Sequence, residues 1–538
     1  MKKTSNTGFG LTRALLCASA VALCPSVALA QSAPTEEKEA EPPADAPSPD
    51  DESVLTVSES EANTSAQDAK TAVLEAQIAG LQAQLDALKT QMTKATPSWK
   101  GAPLSEDKEE GWSFKVRGRL MVDAGYAGKP DNFVANRNLG FNTRVRRFRI
   151  GVEGAIPGGF GYKAEVDYAN STVGFGDVIL TYAPANKPFS LTIGNHESHN
   201  GMEQQTSSRW SSFIERAQVN DAFINTRRLG ASVGYKSADN LFRADAGVFT
   251  GHSIDASVDN DGWIAAFRTS YSPFVGTGFL HLGLSYQHRE FQSNNNAAAS
   301  VSAGAPSTNQ IARYRARPFL QTTDQRFVDS GNFAATGDDI FGVEAYGVFK
   351  SLHFGGEAQY LKADAYAPGS IRTGLNSFTG GSVVTPFGGN PSFWGGHFEI
   401  GYFLTGETRG YKNGLWDRTK VLKPFNKGGW GAVQLTGRFD YLDLDNAKLI
   451  NGTTTNFATG VQTTAALAAR QARGGTQTGY LLGLTWIPMD YVRFLVNYIH
   501  TEVEGGSFAA AAKPLSTDPI NRRKYSTDSI AVRATIDF

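Results

Sequence analysis

Cysteine is nearly missing from this chain of 538 residues: Cys17 and Cys24 are the only two. Both fall in a leader with a basic start (Lys2, Lys3, Arg13), an apolar stretch from Leu11 to Cys24, a helix-breaking Pro25 and a small-x-small cleavage site at Ala28-Leu29-Ala30. Such a leader is a secretory signal, too short to span a bilayer. Leu16 and Leu23 precede the two cysteines, where a lipoprotein signal would place a small residue. Beyond residue 30 there is therefore no disulfide framework and no thiol chemistry. Long apolar runs are missing too, since nothing after residue 30 approaches eighteen uninterrupted apolar residues. That excludes a transmembrane helix, so membrane residence requires a closed barrel.

Catalytic patterns are also lacking. The eight histidines are scattered (196, 199, 252, 281, 288, 353, 397, 500), and no nucleophile elbow frames a Ser/His/acid set. The chain does not read as an enzyme. His196 and His199, near Glu197 and Glu203, would suit a metal only with a supporting cluster elsewhere, so no metal or other cofactor is expected.

What is present divides the chain. Residues 1–30 are the signal and carry +3. Residues 31–70 carry −9, are rich in Pro, Ala, Ser and Glu, and contain no aromatic residue. A segment of that composition cannot bury enough apolar surface to order itself, and reads as a flexible periplasmic linker. The overall charge of −1 therefore conceals +5 on residues 71–538. A cationic body points toward anionic solutes and says nothing of fold.

Residues 71–95 read as a helix. Leu74, Ile78, Leu81, Leu85, Leu88 and Met92 recur at spacings of four and three, with Ile78, Leu85 and Met92 at a and Leu74, Leu81 and Leu88 at d. This heptad seam favours a short coiled coil; a single amphipathic helix packed on something else is the plainer alternative. Pro97 ends it.

From residue 112 to 538 the texture becomes that of strands, rich in Gly, Tyr, Phe, Asn and Thr and alternating with period two. Lys163, Glu165 and Asp167 alternate with Tyr162, Ala164, Val166 and Tyr168; Arg533, Thr535 and Asp537 alternate with Val532, Ala534, Ile536 and Phe538. An apolar face toward lipid and a charged face toward water explain both sets, because a cation on the lipid face costs roughly 2–4 kcal/mol at midplane. Sixteen such segments, from 113–125 to 527–538, give the even number that closure requires. The expected fold is an all-β transmembrane barrel of about sixteen antiparallel strands, preceded by the acidic linker and the coiled coil. Short turns alternate with long loops at 197–226, 290–339, 362–392, 445–477 and 502–526, and only 406–429 is long on the short-turn side. Sixteen strands leave an aqueous channel unless loops narrow it.

Three ordered blocks carry a family resemblance. Arg144 to Gly154 (RVRRFRIGVEG) runs into Gly161-Tyr162-Lys163-Ala164-Glu165-Val166-Asp167. Thr206-Ser207-Ser208-Arg209 leads to Phe213-Ile214-Glu215-Arg216-Ala217 and Arg228-Leu229-Gly230. Gly428-Gly429-Trp430-Gly431-Ala432 precedes Arg438 and Leu442-Asp443-Leu444. Over residues 112–538 the chain resembles the phosphate-selective porin O and P family. The resemblance implies an outer-membrane homotrimer of sixteen-stranded barrels that passes phosphate or other small anions. It also implies extracellular loops and a long periplasmic turn folded into the pore; 406–429, with Arg409, Lys412, Arg418, Lys420, Lys423 and Lys427, suits that turn.

An anion pore needs cations facing water, spaced so that an ion moves between weak sites. Arginine suits phosphate through its permanent charge and bidentate fork. Alternation aims Arg117, Arg119, Arg147, Arg149, Lys163, Arg228, Arg243 and Arg438 at the lumen, and the resemblance adds Arg209 and Arg216 on the constricting loop. Arg313, Arg315 and Arg317 are spaced to line a mouth. Acids on the same face (Glu153, Glu165, Asp167, Asp245, Glu344, Glu357, Glu399, Asp440) offer an alternative in which the cations mainly pair with the wall. The expected partners are phosphate or other small anions, outer-membrane lipid, sister copies, and peptidoglycan or another envelope component along residues 31–95, with no nucleic acid. A general porin with an envelope-anchoring role is the rival reading.

Overall fold

The computed structural model describes residues 111–130, 138–169, 173–223, 226–251, 262–291, 311–331, 333–365, 389–449 and 473–538, the stretches 77–85, 98–99, 103–107, 382–385, 453–456 and 461–463, and residues 71, 74, 75 and 254. The signal at 1–30 and the linker at 31–70 lie outside the described residues. Helical residues 77–85 belong to a unit of their own, Ala18–Pro97. On that helix the seam residues Ile78, Leu81 and Leu85 are exposed, as is Leu74 just before it.

The other unit holds sixteen long strands: β1 (Trp112–Ala127), β2 (Gly140–Ile156), β3 (Phe160–Asp167), β4 (Gly174–Tyr182), β5 (Phe189–Glu197), β6 (Arg227–Lys236), β7 (Phe242–Thr250), β8 (Trp263–Tyr271), β9 (Gly278–Glu290), β10 (Phe333–Phe349), β11 (Leu352–Ala365), β12 (Ser392–Phe403), β13 (Ala432–Asp443), β14 (Thr476–Met489), β15 (Val492–Glu504) and β16 (Lys524–Asp537). Each pairs antiparallel with the next, and β16 pairs with β1 from Ile530↔Tyr126 to Asp537↔Arg119, so the barrel closes. Closure leaves no sheet edge, the condition for spanning a bilayer with strands. The C-terminal Phe538 completes the seam by exchanging backbone hydrogen bonds with Gly118, both 3.1 Å. Its ring occupies the space where a Gly118 side chain would stand, 2.1 Å from an added Cβ.

The two faces obey the period-two pattern. Along β14, Tyr480, Leu482, Leu484 and Trp486 are exposed, whereas Gln477, Leu481 and Thr485 are buried. Ring pairs gather in two girdles. Phe160–Tyr182, Phe189–Tyr235 and Trp486–Phe494 lie toward the short turns; Tyr286–Phe341, Trp394–Tyr441 and Phe439–Tyr480 lie toward the long loops. An apolar band between aromatic girdles marks the bilayer slab. Turns of two to six residues close one end, and all long loops but one leave from the other. The exception, 404–431, joins β12 to β13 at the short-turn end.

Candidate functional site: the lumen and its inserted loop

The loop between β5 and β6 turns into the barrel, carrying two short helical turns, α1 (Met202–Gln205) and α2 (Gln218–Ala222). A loop backbone taken from water needs partners for its N–H and C=O groups. The wall supplies them from strands far apart in sequence. Glu344 on β10 accepts from the Met202 N–H, and Glu357 on β11 from the Glu203 N–H. Asp440 on β13 accepts from the Gln218 N–H at 3.3 Å, and Asn497 on β15 from the Ile214 N–H at 2.8 Å. Arg493 donates to the Ser211 carbonyl at 2.9 Å, and Arg533 to that of Ile214. Glu344, Glu357 and Asp440, read from sequence as partners for wall cations, thus hold the loop backbone. Of the three, Glu344 alone also pairs with a wall arginine among the described residues, Arg268 at 2.8 Å.

The wall formed by β1, β2 and β3 is the cationic one. Arg119 donates to Ser208 Oγ at 2.9 Å and meets Glu165 at 3.4 Å. Arg149 bridges Glu165 at 2.6 Å and Asp167 at 2.7 Å, and Arg147 stands 3.5 Å from Asp167. Strict alternation counted back from Arg147 would turn Arg146 and Arg144 to lipid and Val145 inward. The strand avoids this with a bulge: Met121 pairs with Arg147 and Val122 with Val145, leaving Arg146 as the extra residue. Val145 and Phe148 face outward. Arg146 faces the lumen and clasps both oxygens of Glu215 on the loop, at 3.0 and 3.2 Å. Burial raises the Glu215 pKa, but Arg146 and Arg533 outweigh it and hold the carboxyl down at about 2.

A second long loop, between β9 and β10, also enters. Phe319 and Leu320 are buried against Phe213, Ile214, Leu481, Leu495 and Ile499. Between the two loops and the wall lies a cavity of about 230 Å³. Arg146, Arg147, Arg216 and Arg317 line it, against the acids Glu215 and Asp221. Both acids are already engaged: Glu215 by Arg146 and Arg533, Asp221 by Arg317 at 3.4 Å and Arg326 at 2.6 Å. Arg216 donates to the carbonyls of Glu203 and Thr206, both at 2.9 Å, and makes no ion pair among the described residues. The cavity surface therefore carries excess positive charge.

From the opposite end, 404–431 enters the lumen. Asn413 accepts from Arg243 at 2.8 Å, the Gly414 carbonyl from Arg268 at 3.0 Å, and the Trp416 N–H reaches Thr206 Oγ1 of the inserted loop at 3.3 Å. Its arginines stack on rings, Arg409 over Trp416 at 3.8 Å and Arg418 between Trp210 at 4.5 Å and Tyr491 at 4.6 Å. The turn and the loop meet across the lumen.

The sequence candidates are thus spread over several places. Arg147 and Arg216 reach the cavity; Arg119 and Arg149 share Glu165 farther along the wall, and Arg209 stands 3.6 Å from Asp537, outside the cavity lining. Arg117 pairs with Glu153, and Lys163 with Asp177. Arg438 joins Glu203 and Glu399. Arg228 turns back to Thr226 Oγ1 at 2.7 Å, while its neighbour Arg227 bridges Asp177 and Glu197. Of the arginine row, Arg313 pairs with Asp329 and Arg317 reaches the cavity. Alternation missed Arg146 because the bulge breaks its period. Glu203, His397 and Glu399 present ligand atoms within 4.8 Å of one another, but Arg438 and Arg409 already hold the two carboxylates, which makes this an ion-pair network rather than a metal centre.

The family model for phosphate-selective porin O and P matches residues 114–523. An uncharacterized protein of Caulobacter vibrioides is 30% identical over 448 residues, 82% of this chain and 77% of that one. Porin O of Pseudomonas aeruginosa is 25% identical over 425 residues, 74% of this chain and 84% of its own. Among solved structures, the outer membrane channel DcaP of Acinetobacter baumannii aligns with a TM-score of 0.43 and 13% identity, over 80% of this chain and 99% of that one. The chain belongs to the phosphate-selective porin O and P family and is an outer-membrane porin.

Proposed function

We propose that this porin passes small anions by passive diffusion, with phosphate or polyphosphate as its solutes. The observation that carries the reading is the cavity lined by Arg146, Arg147, Arg216 and Arg317, whose two acids are both already held by arginines. Guanidinium groups stay charged at every physiological pH and offer paired donors to an oxyanion. With Arg119 and Arg149 farther along the wall, the cavity arginines give a passing anion successive moderate sites rather than one deep trap, the condition for flux. In this reading the leader at 1–30 exports the chain, the acidic segment 31–70 lies in the periplasm, and the extracellular side is the one with long loops. The exposed seam of Leu74, Ile78, Leu81 and Leu85 supports self-association of the helix, in keeping with a homotrimer in outer-membrane lipid, and an envelope contact along residues 31–95 belongs to the same reading.

Single-channel chloride current in a planar bilayer, titrated with phosphate and sulfate, tests the proposal. Block at low phosphate, with a reversal potential favouring anions, is the expected result. Preferential cation passage with no effect of phosphate overturns it in favour of a general porin.

A further inference from the structure

The turn 404–431 has two arms. The inner one enters the lumen; the outer one, residues 420–431, folds back against the girdle ring Trp486 of β14. Trp486 Nε1 donates to the Trp430 carbonyl at 2.8 Å, and the Phe425 ring stands edge-on to Trp486 with centroids 6.3 Å apart. Val421 roots the arm among Phe403, Ala432 and Ile487. The Gly431 N–H closes it on the Lys423 carbonyl at 2.9 Å, and Gly428 and Gly431 supply the left-handed backbone that closure needs, at φ 79° and 76°. What the arm then presents is apolar: Leu422 is 57% exposed, Phe425 60% and Trp430 84%. These side chains continue the lipid-facing band past the barrel rim, at the depth where aromatic rings settle into the headgroup boundary. The charge beside them has one sign. Between Asp417 and Asp440 the chain has no acidic residue, yet Lys420, Lys423 and Lys427 fall on this arm. All three are exposed, and none pairs with an acid among the described residues. Their long stems let the ammonium groups reach phosphate level beside the rings. An anionic cell-wall polymer would meet the lysines but leave Leu422 and Trp430 in water, so the apolar face decides for lipid.

We infer that residues 420–431 form a headgroup site for an anionic phospholipid in the leaflet on the short-turn side, with Leu422, Phe425 and Trp430 in the acyl boundary and the three lysines on the phosphate. The inference goes beyond the anion reading and holds whatever the solute.

Asn426, exposed on the same arm, is the reporter position. The full chain carrying Cys17→Ser, Cys24→Ser and Asn426→Cys is labelled with bimane and reconstituted in phosphatidylcholine vesicles. Phosphatidylglycerol or phosphatidylcholine, each with a spin label near the headgroup, is then added as quencher. Phosphatidylglycerol is expected to half-quench at a mole fraction about fivefold below phosphatidylcholine, the worth of one lysine at a charged bilayer surface. Lys420→Gln, Lys423→Gln and Lys427→Gln together should erase that preference while quenching by both lipids remains. Lys187→Gln with Lys350→Gln, exposed on other short turns, should leave the preference intact. Equal quenching of the unaltered arm by the two lipids overturns the inference. So does a preference that survives loss of the three lysines, or one that is lost with Lys187 and Lys350. Absence of quenching by either lipid overturns it as well, and a bimane response to soluble peptidoglycan fragments would then assign the arm to the cell wall.

Discussion

The Cε2–Cζ edge of the Phe319 ring packs against the backbone of Gly479 on β14, so closely that a Cβ on that glycine would lie 2.3 Å from the ring. Phe319 adopts a left-handed backbone, φ 59°, which is unfavourable for a bulky residue and persists only where the surroundings enforce it. The pair fixes the described part of the β9–β10 loop, residues 311–331, inside the lumen. Phe319→Ala forfeits about 3 kcal/mol of docking energy, a shift of roughly a hundredfold toward the undocked loop. Single-channel conductance is expected to rise, and Gly479→Leu should produce the same change by filling the seat. Unchanged conductance in both variants would show that this loop does not narrow the pore.

The bulge in β2 is expected to carry much of the selectivity. Removing the charge of Arg147 or Arg216 costs a passing anion about 1 kcal/mol of attraction in a water-filled lumen, roughly a fivefold loss of anion preference. Arg146→Ala should do more, because it also frees one side of Glu215. Reversal potentials in a salt gradient measure each change, and an unaltered potential in all three variants would place the selectivity elsewhere.

The inserted loop hangs on carboxylates as well as arginines. Glu344→Ala with Glu357→Ala strands the N–H groups of Met202 and Glu203 and deprives Arg268 of its partner. Each orphaned buried donor costs about 1–3 kcal/mol. Current traces of the double variant should become noisy, with a larger open level, as the loop leaves the wall. A quiet trace at wild-type conductance would mean that the remaining contacts suffice.

Acid should loosen the same loop, with a sign fixed by Glu215. Its folded pKa of about 2 lies below the ordinary glutamate value of about 4.3, so its ionised form stabilises docking. That contribution is fully present above about pH 4.3 and is lost as pH falls toward about 2. Conductance is expected to hold steady down to about pH 4 and to rise below about pH 3. In Glu215→Gln the rise should already be present at neutral pH. A wild-type channel that opens near pH 5 would point to another group.

Much of the fold was legible because its determinants are local. A strand buried between lipid and water writes its two faces into alternate residues, so Tyr480, Leu482, Leu484 and Trp486 opposite Gln477 and Thr485 mark β14 without reference to any other strand. Sixteen such patterns and the absence of any long apolar helix determined an antiparallel barrel, and the surplus of cations beyond residue 70 gave the sign of its charge. Tertiary structure decided the rest. Whether Arg146 faces lipid or lumen depends on one unpaired residue opposite Met121 and Val122, which no periodicity contains. Glu344, Glu357 and Asp440 look in sequence like any other lumen acids. They become loop anchors only because Met202, Glu203 and Gln218, each more than 140 residues away in the chain, bring in N–H groups that have left water. Alternation reports which side of a strand is wet; what meets a side chain there is settled by where the loops fold.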